Sequence, residues 1–284
     1  MSPKPEPGER RTLERLRQHY EIEKALTARL MQADREERKK LYAEVYDELC
    51  RRVPDHILLA RKADSQDARR EVSYNVALLR PFLKPDSVFV EIGAGDCALS
   101  FEIAKRVAKV IALEVSSEIS RSDDAPANFE LIIYEGIHLP LAESSVDVVF
   151  SNHLMEHLHP DDAADQLASI FRVLKPRGVY VCVTPNRLRG PHDVSRYFDE
   201  TPTCFHLREY ANTDLARLLT SCGFRPVTSY ASAKGRYFRM PRLLITLLES
   251  FLDLLPYRFR KRLANTKLLR PLLGVVMVGM KPVS

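Results

Sequence analysis

At Ser87 the apolar pattern changes period, and that change constrains the fold more than any other feature of this 284-residue chain. Val88-Phe89-Val90 is a short apolar run between Pro85 and the glycines at 93 and 95, as a strand buried on both faces requires. A helical pattern from Leu99 to Val107 follows. Further apolar runs come at 110–113, 131–133 and 146–150. The spacing predicts a helix from about Asp161 to Leu174, with Pro160 suited to its first turn. Lys175-Pro176-Arg177-Gly178 then turns the chain into a fifth strand at 179–183. Asn212-Thr213 can cap a helix that stops at Cys222-Gly223. Residues 226–230 and 275–280 supply the sixth and seventh strands. Strands alternating with helices at this spacing predict a doubly wound α/β sheet.

Upstream of Ser87 the spacing is helical. Leu13, Leu16 and Tyr20, then Ile22, Leu26 and Leu30, suggest one helix; Leu41, Val45 and Leu49 mark another, and a third covers about 66–80 before Pro81. The expected organisation is a disordered tail over 1–10, a helical extension over 11–80 and the main domain over 81–284. Within that domain, residues 232–274 hold ten basic residues against only Glu249 and Asp253. The rest of the domain is acidic, so the net charge of +5 conceals a strongly basic insertion. The first residues lack the apolar core of a signal peptide, and no stretch approaches the roughly 20 apolar residues of a membrane span. Five cysteines form no C-x-x-C pair. A cytoplasmic protein is the expectation; nothing in the sequence speaks to its oligomeric state.

Glu91-Ile92-Gly93-Ala94-Gly95-Asp96-Cys97-Ala98 stands where the first strand gives way to a helix. In open α/β sheets ligands bind beyond the carboxyl ends of the strands, at the point where the strand order reverses. Read literally, Gly93-x-Gly95-x-x-Ala98 satisfies the dinucleotide fingerprint. Glu91 argues against that use, because a pyrophosphate prefers neutral or positive neighbours. A cofactor carrying an ammonium and a sulfonium is favoured by the negative charge. Glu114, at the end of the second strand, can accept hydrogen bonds from ribose hydroxyls of either kind of cofactor.

These residues resemble the first motif of the class I S-adenosylmethionine-dependent methyltransferases, particularly the broad type 11 group, with Cys97 replacing the third glycine. Glu135-Gly136-Ile137-His138-Leu139-Pro140 is similar to a later segment of the family, residues 145–152 to its fourth strand, and Leu174-Lys175-Pro176-Arg177-Gly178 to its turn into the fifth. The likeness covers about residues 75–231. It implies a Rossmann-like seven-stranded sheet with the last strand antiparallel, an N-terminal helical extension and a helical insertion before the last strand. It also implies S-adenosylmethionine as cofactor, with Glu91, Gly93, Gly95, Glu114, Glu135, Gly136 and Asn152 as contacts. Glu135 would meet the adenine amino group.

Catalytic candidates follow the fourth strand, where His153, Glu156 and His157 share one helical face. His157 is the expected base or orienting residue, with His153 beside it. In quinone-type and small-RNA methyltransferases a similar arrangement binds a divalent metal, to which His206 would add a ligand. His153 stands in place of that motif's first glutamate, so loop ordering by Glu156 and His157 is preferred and no metal is assigned. The loop Arg187, Arg189, His192, Asp193, Arg196 and Tyr197 is the place to look for acceptor contacts. The acceptor expected is a small molecule, of natural-product or lipid-like type.

In the insertion, Arg242, Thr246, Glu249, Ser250 and Asp253 share one face of an amphipathic helix and leucines with Phe251 fill the other. It reads as a packed cap, as a cap that helps bind an anionic or large acceptor, or as a peripheral attachment through 240–270 to an anionic membrane or nucleic acid. A dense aromatic-basic sheet pattern is missing, which argues against nucleic acid and an RNA acceptor. The rival functions are an NAD-dependent oxidoreductase and a non-catalytic binding protein of the same fold at a membrane surface.

Overall fold

The computed structural model describes residue 9 and residues 11–55, 66–116 and 124–283. Apart from Glu9, the expected N-terminal tail lies outside the described residues. The strands are β1 (Val88–Ile92), β2 (Lys109–Glu114), β3 (Phe129–Ile133), β4 (Val146–Asn152), β5 (Leu174–Thr184), β6 (Val227–Ala233), β7 (Arg236–Met240) and β8 (Val275–Met280). They form one sheet in the order β3-β2-β1-β4-β5-β8-β6-β7. Strands β1 to β5 pair in parallel; β8 runs antiparallel to β5 and β6, and β7 antiparallel to β6.

The sheet therefore has eight strands where the sequence predicts seven. The additional strand, β7, lies inside the stretch expected to be a helical insertion. It forms an edge hairpin with β6, and its Arg236, Phe238 and Arg239 are exposed. An edge strand of that composition carries no buried apolar run by which a sequence could announce it.

The described helices are α1 (Leu13–Gln32), α2 (Arg35–Arg52), α3 (Gln66–Leu79), α4 (Ala98–Ala104), α5 (Pro160–Val173), α6 (Asn212–Ser221), α7 (Arg242–Asp253) and α8 (Tyr257–Ala264). Successive side chains of β1 leave opposite faces of the sheet. Val90 and Ile92 pack with α1, α2, α5 and α6, whereas Phe89 packs with α3 and α4. Glu91 shares the α3/α4 face with Phe89, and this is why its carboxylate meets Ser100 on α4. Thr12 caps α1, and an Asp34–Glu37 capping box opens α2.

The α1–α2 hairpin belongs to the same core as the sheet. A buried ion pair joins α2 to α5: Arg38 donates from Nε to Asp162 Oδ2 at 2.6 Å and from Nη2 to Oδ1 at 2.7 Å. Tyr42 donates its hydroxyl to the same carboxylate at 2.8 Å and accepts from the His159 N–H at 2.9 Å.

Helix α7 packs against α6, with α8 beside it. Glu249 is buried, and its carboxylate accepts from Asn186 Nδ2 and from the backbone and side chains of Asn212 and Thr213, thereby capping α6. Ile245 and Leu252 are buried on the same side. The stripe Leu243, Leu244, Leu247, Phe251 and Leu254 faces solvent.

Asp162→Ala leaves the Arg38 guanidinium buried without its partner and is expected to cost about 3–5 kcal/mol of stability. Urea denaturation checks this, and the double variant Arg38→Met/Asp162→Leu should regain most of the loss.

Candidate functional site

The carboxyl ends of β1, β2 and β4 open into one cleft of about 660 Å³, lined also by α1, α2, α3 and the loops after β4 and β5. Gly93 ends β1 with φ +70, a backbone conformation that side chains rarely adopt, and a Cβ there would stand 3.3 Å from Leu154 Cδ1. No heavy atom lies within 4 Å of where a Cβ of Gly95 would be, so the loop leaves open space above it. Cys97, where the resemblance has a glycine, itself adopts φ 60 and is fully buried.

Three acids meet at this loop. Glu91 is buried and accepts a hydrogen bond from Ser100 Oγ at 2.6 Å. Burial pushes its pKa up to about 8, and the negative charges of Asp96 and Glu114 add to the shift against the Ser100 bond. Glu114 accepts from the Gly95 N–H at 3.0 Å and the Val115 N–H at 2.8 Å, which fixes the glycine loop to the end of β2. A buried carboxylate among other carboxylates, beside open space, is a site that fits a cationic ligand.

Gly136 and Tyr134 line the cleft next to Tyr42. Glu135 between them does not: its carboxylate caps its own loop, accepting from the backbone of Ile137 and His138 at 2.5 and 2.7 Å. Asn152 ends β4 and donates to Glu71 on α3 at 3.0 Å.

The turn after β4 gathers the histidines. His153 lies at φ 54 and its Nδ1 is 3.0 Å from Glu156 Oε1. Thr184, at the end of β5, donates to the other oxygen of Glu156 at 2.8 Å. Burial alone would raise the Glu156 pKa; the His153 hydrogen bond and the neighbouring imidazoles outweigh it and hold the carboxyl at about 2. The His153 side chain is 55% exposed; the partial loss of solvent opposes its charge, yet the bond to Glu156 wins and its pKa is raised. Nδ1 of His157 lies 2.9 Å from the Phe205 carbonyl, which can only accept, so this nitrogen carries the proton and Nε2 keeps its lone pair. Burial drives His157 down to about 4, with the charge on His206 adding to the shift against the attraction of Glu156.

His206 packs edge-on to His157, ring centroids 4.9 Å apart, and its Nδ1 is 2.7 Å from Glu209 Oε1. Burial disfavours its charge, but Glu209, Glu156 and Asp193 outweigh that and push its pKa to about 9. Two adjacent imidazoles are thus held in opposite states at neutral pH: His157 neutral, His206 charged. Burial works against ionised Glu209 as well, and the bonds with His192 and His206 keep it at about 2.

Donor atoms of Glu156, His157 and His206 lie within 4.8 Å of one another, as do those of Glu23, Asp193 and Cys204. In the first group His153 and Thr184 hold the oxygens of Glu156, and the Nδ1 contacts of both histidines leave Nε2 as the atom that could ligate, an arrangement common around metals. No metal is assigned.

The expected acceptor loop divides. His192, Asp193, Arg196 and Tyr197 line the cleft. Arg187 instead pairs with Asp214 and Asp253, and Arg189 donates to Asn265. Sequence reasoning missed Glu209, Glu71, His19 and Glu23. Of these, His19 and Glu23 left a local signal, an i,i+4 pair on α1 with Nε2 to Oε1 at 2.5 Å, and Glu209 stands three residues after His206.

Residues 90–182 match the family model described as a methyltransferase domain, of type 11. That segment is thus similar to a methyltransferase domain, as the motifs of the sequence imply. A probable S-adenosylmethionine-dependent methyltransferase of Mycolicibacterium smegmatis is 41% identical over 86 residues, 30% of this chain and 31% of that protein. Phosphoethanolamine N-methyltransferase 1 of Triticum aestivum is 26% identical over 182 residues, 55% of this chain and 35% of that protein. The chain aligns with about a third of the length of these two curated relatives. The [4+2]-cyclase SpnF has the same fold, with TM-score 0.57 at 14% identity over 87% of this chain and 97% of that one. A fold shared with a cyclase leaves the reaction to be argued from the side chains.

Glu209→Gln removes the charge that holds His206 protonated while burial remains. The His206 pKa should then fall by a unit or more, which an NMR titration of the imidazole signals would read.

Proposed function

We propose that this chain is a methyltransferase that uses S-adenosylmethionine to methylate a small-molecule acceptor with an ionisable oxygen or nitrogen nucleophile. The observation that carries the reading is Glu91, a buried acid at the end of β1, among like charges and beside the open glycine loop. A cofactor with an ammonium and a sulfonium supplies the missing positive charge; an NAD pyrophosphate would add to the repulsion. Glu91, Gly93, Gly95, Glu114, Gly136 and Asn152 are the proposed cofactor contacts, and the Glu135 carboxylate caps its own loop beside them.

When bound, S-adenosylmethionine supplies an activated methyl group with its leaving group attached. The protein's part is then orientation, and proton removal where the acceptor is a poor nucleophile. His157 Nε2 is the proposed base, its ring fixed by the Phe205 carbonyl and its neutral state kept by burial. Neighbouring groups with pKa values pushed apart are the usual sign of an acid and base assignment, and His206 held by Glu209 is the charged member here. Tyr46 stacks on Phe205 with ring centroids 5.4 Å apart and closes an aromatic wall for the acceptor. The wheat relative, which bears the name of a phosphoethanolamine methyltransferase, is consistent with a small polar acceptor.

Calorimetry with S-adenosylhomocysteine, run beside NAD, tests the reading. Binding of the former and not the latter is expected, and Glu91→Ala should weaken it at least tenfold; unchanged affinity would refute the assignment. The pH dependence has a definite sign. Below pH 8 Glu91 holds a proton that it must release to meet an ammonium, so affinity should climb as pH rises toward 8 and then level off, and Glu91→Gln should flatten the climb.

With any acceptor that turns over, His157→Ala should lower kcat by about 10²-fold or more while leaving S-adenosylhomocysteine affinity within twofold.

A further inference from the structure

Helix α7 presents a continuous apolar stripe to solvent. Leu243, Leu244, Leu247, Phe251 and Leu254 recur at helical spacing and are between 53% and 84% exposed. Helix α8 packs on α7 and adds Phe259, 70% exposed. Isolated exposed leucines are ordinary on a protein surface; a stripe of five on one helix, extended by an aromatic residue, marks an interaction surface. Its orientation is fixed, because the Glu249 carboxylate bonds to Asn186, Asn212 and Thr213 on the opposite side of the helix.

The exposed charge of this segment is basic. Arg258 and Arg262 on α8, Lys267 and Arg270 after it, and Arg239 on β7 are exposed. The only acids between 232 and 274 are engaged elsewhere: Glu249 is buried, and Asp253 pairs with Arg187 at 2.6 Å. Apolar side chains accompanied by arginine and lysine match the interface of an anionic bilayer, where leucine and phenylalanine enter the acyl boundary and the cations meet the headgroups. A second copy of this chain would bring like charge against like charge. Nucleic acid would satisfy the cations and leave five leucine and phenylalanine side chains of α7 in water.

We propose that the α7–α8 face docks this protein on an anionic lipid surface. The inference rests on the exposed face alone and is independent of what the cleft binds.

The test is co-sedimentation of the full chain with vesicles of phosphatidylcholine alone and of phosphatidylcholine with 30% phosphatidylserine, a composition on the order of a charged cytoplasmic leaflet. Binding to the mixed vesicles at least tenfold tighter than to the neutral ones is expected, falling as salt is raised. Leu247→Glu/Phe251→Glu should abolish it. Arg258→Gln/Arg262→Gln, which alters only exposed side chains, should weaken it severalfold while the melting temperature stays unchanged, so a folding defect in the first variant would not leave the question open. Equal binding to both vesicles, no binding to either, or loss of the exposed face to self-association seen by light scattering would each overturn the proposal. So would tighter binding to a single-stranded RNA of mixed sequence than to the charged vesicles.

Discussion

Strand β1 is hydrogen-bonded in parallel to β2 on one side and to β4 on the other, and the site depends on that double pairing. The strand order reverses at this point, so the helices leaving β1 and β4 pass to opposite faces and cannot fill the space between them. The carboxyl ends of three strands are left side by side: Glu91 from β1, Glu114 from β2 and Asn152 from β4. The pleat then decides which way each side chain points. Because Glu91 shares its face with Phe89, its carboxylate is carried toward α4 and away from bulk water. Its raised pKa follows from that placement together with the nearness of Asp96 and Glu114.

The same logic explains how far the sequence could be read. Strands buried on both faces must be apolar throughout, so β1, β2, β4, β8 and the second half of β5 appear as apolar runs whatever lies around them; β3 is a half-exposed edge strand that nevertheless keeps the apolar run 131–133. A residue at the end of such a strand has its place dictated by backbone geometry, and Glu91, Gly93, Glu114 and Asn152 are legible for that reason. Glu135 is different. It lies in a loop, and two backbone N–H groups within its own turn compete for its carboxylate; an acid two residues before free amides is apt to cap them. Strand β7 was illegible because an edge strand needs no apolar core.

Histidine chemistry shows the limit more sharply. His153, Glu156 and His157 are neighbours in sequence, and the His153–Glu156 bond is local, yet their other partners come from distant parts of the chain. The Phe205 carbonyl fixes the His157 tautomer, Thr184 holds Glu156, and Glu209 keeps His206 charged. The last contact requires Gly190, where a Cβ would fall 2.0 Å from Glu209 Oε2, so a glycine in one loop admits the carboxylate of another. Spacing along the chain can nominate a base. It cannot say which of two adjacent imidazoles will be neutral, because that follows from burial and from partners the fold brings together, the Phe205 carbonyl at His157 and Glu156 with Glu209 around His206.

The basic insertion is joined to this chemistry by the segment after β5. Asn186 bonds to Glu249 on α7, Arg187 to Asp253 at its end, and Arg189 to Asn265 after α8. A few residues on, His192, Asp193, Arg196 and Tyr197 form one wall of the cleft. Glu249 shares the buried side of α7 with Ile245 and Leu252, and five hydrogen bonds to its carboxylate hold the helix in that orientation. The apolar residues thus divide, Ile245 and Leu252 inward and Leu243, Leu244, Leu247 and Phe251 outward. One short, hydrogen-bonded stretch of chain joins the helix that carries this exposed face to a wall of the cleft.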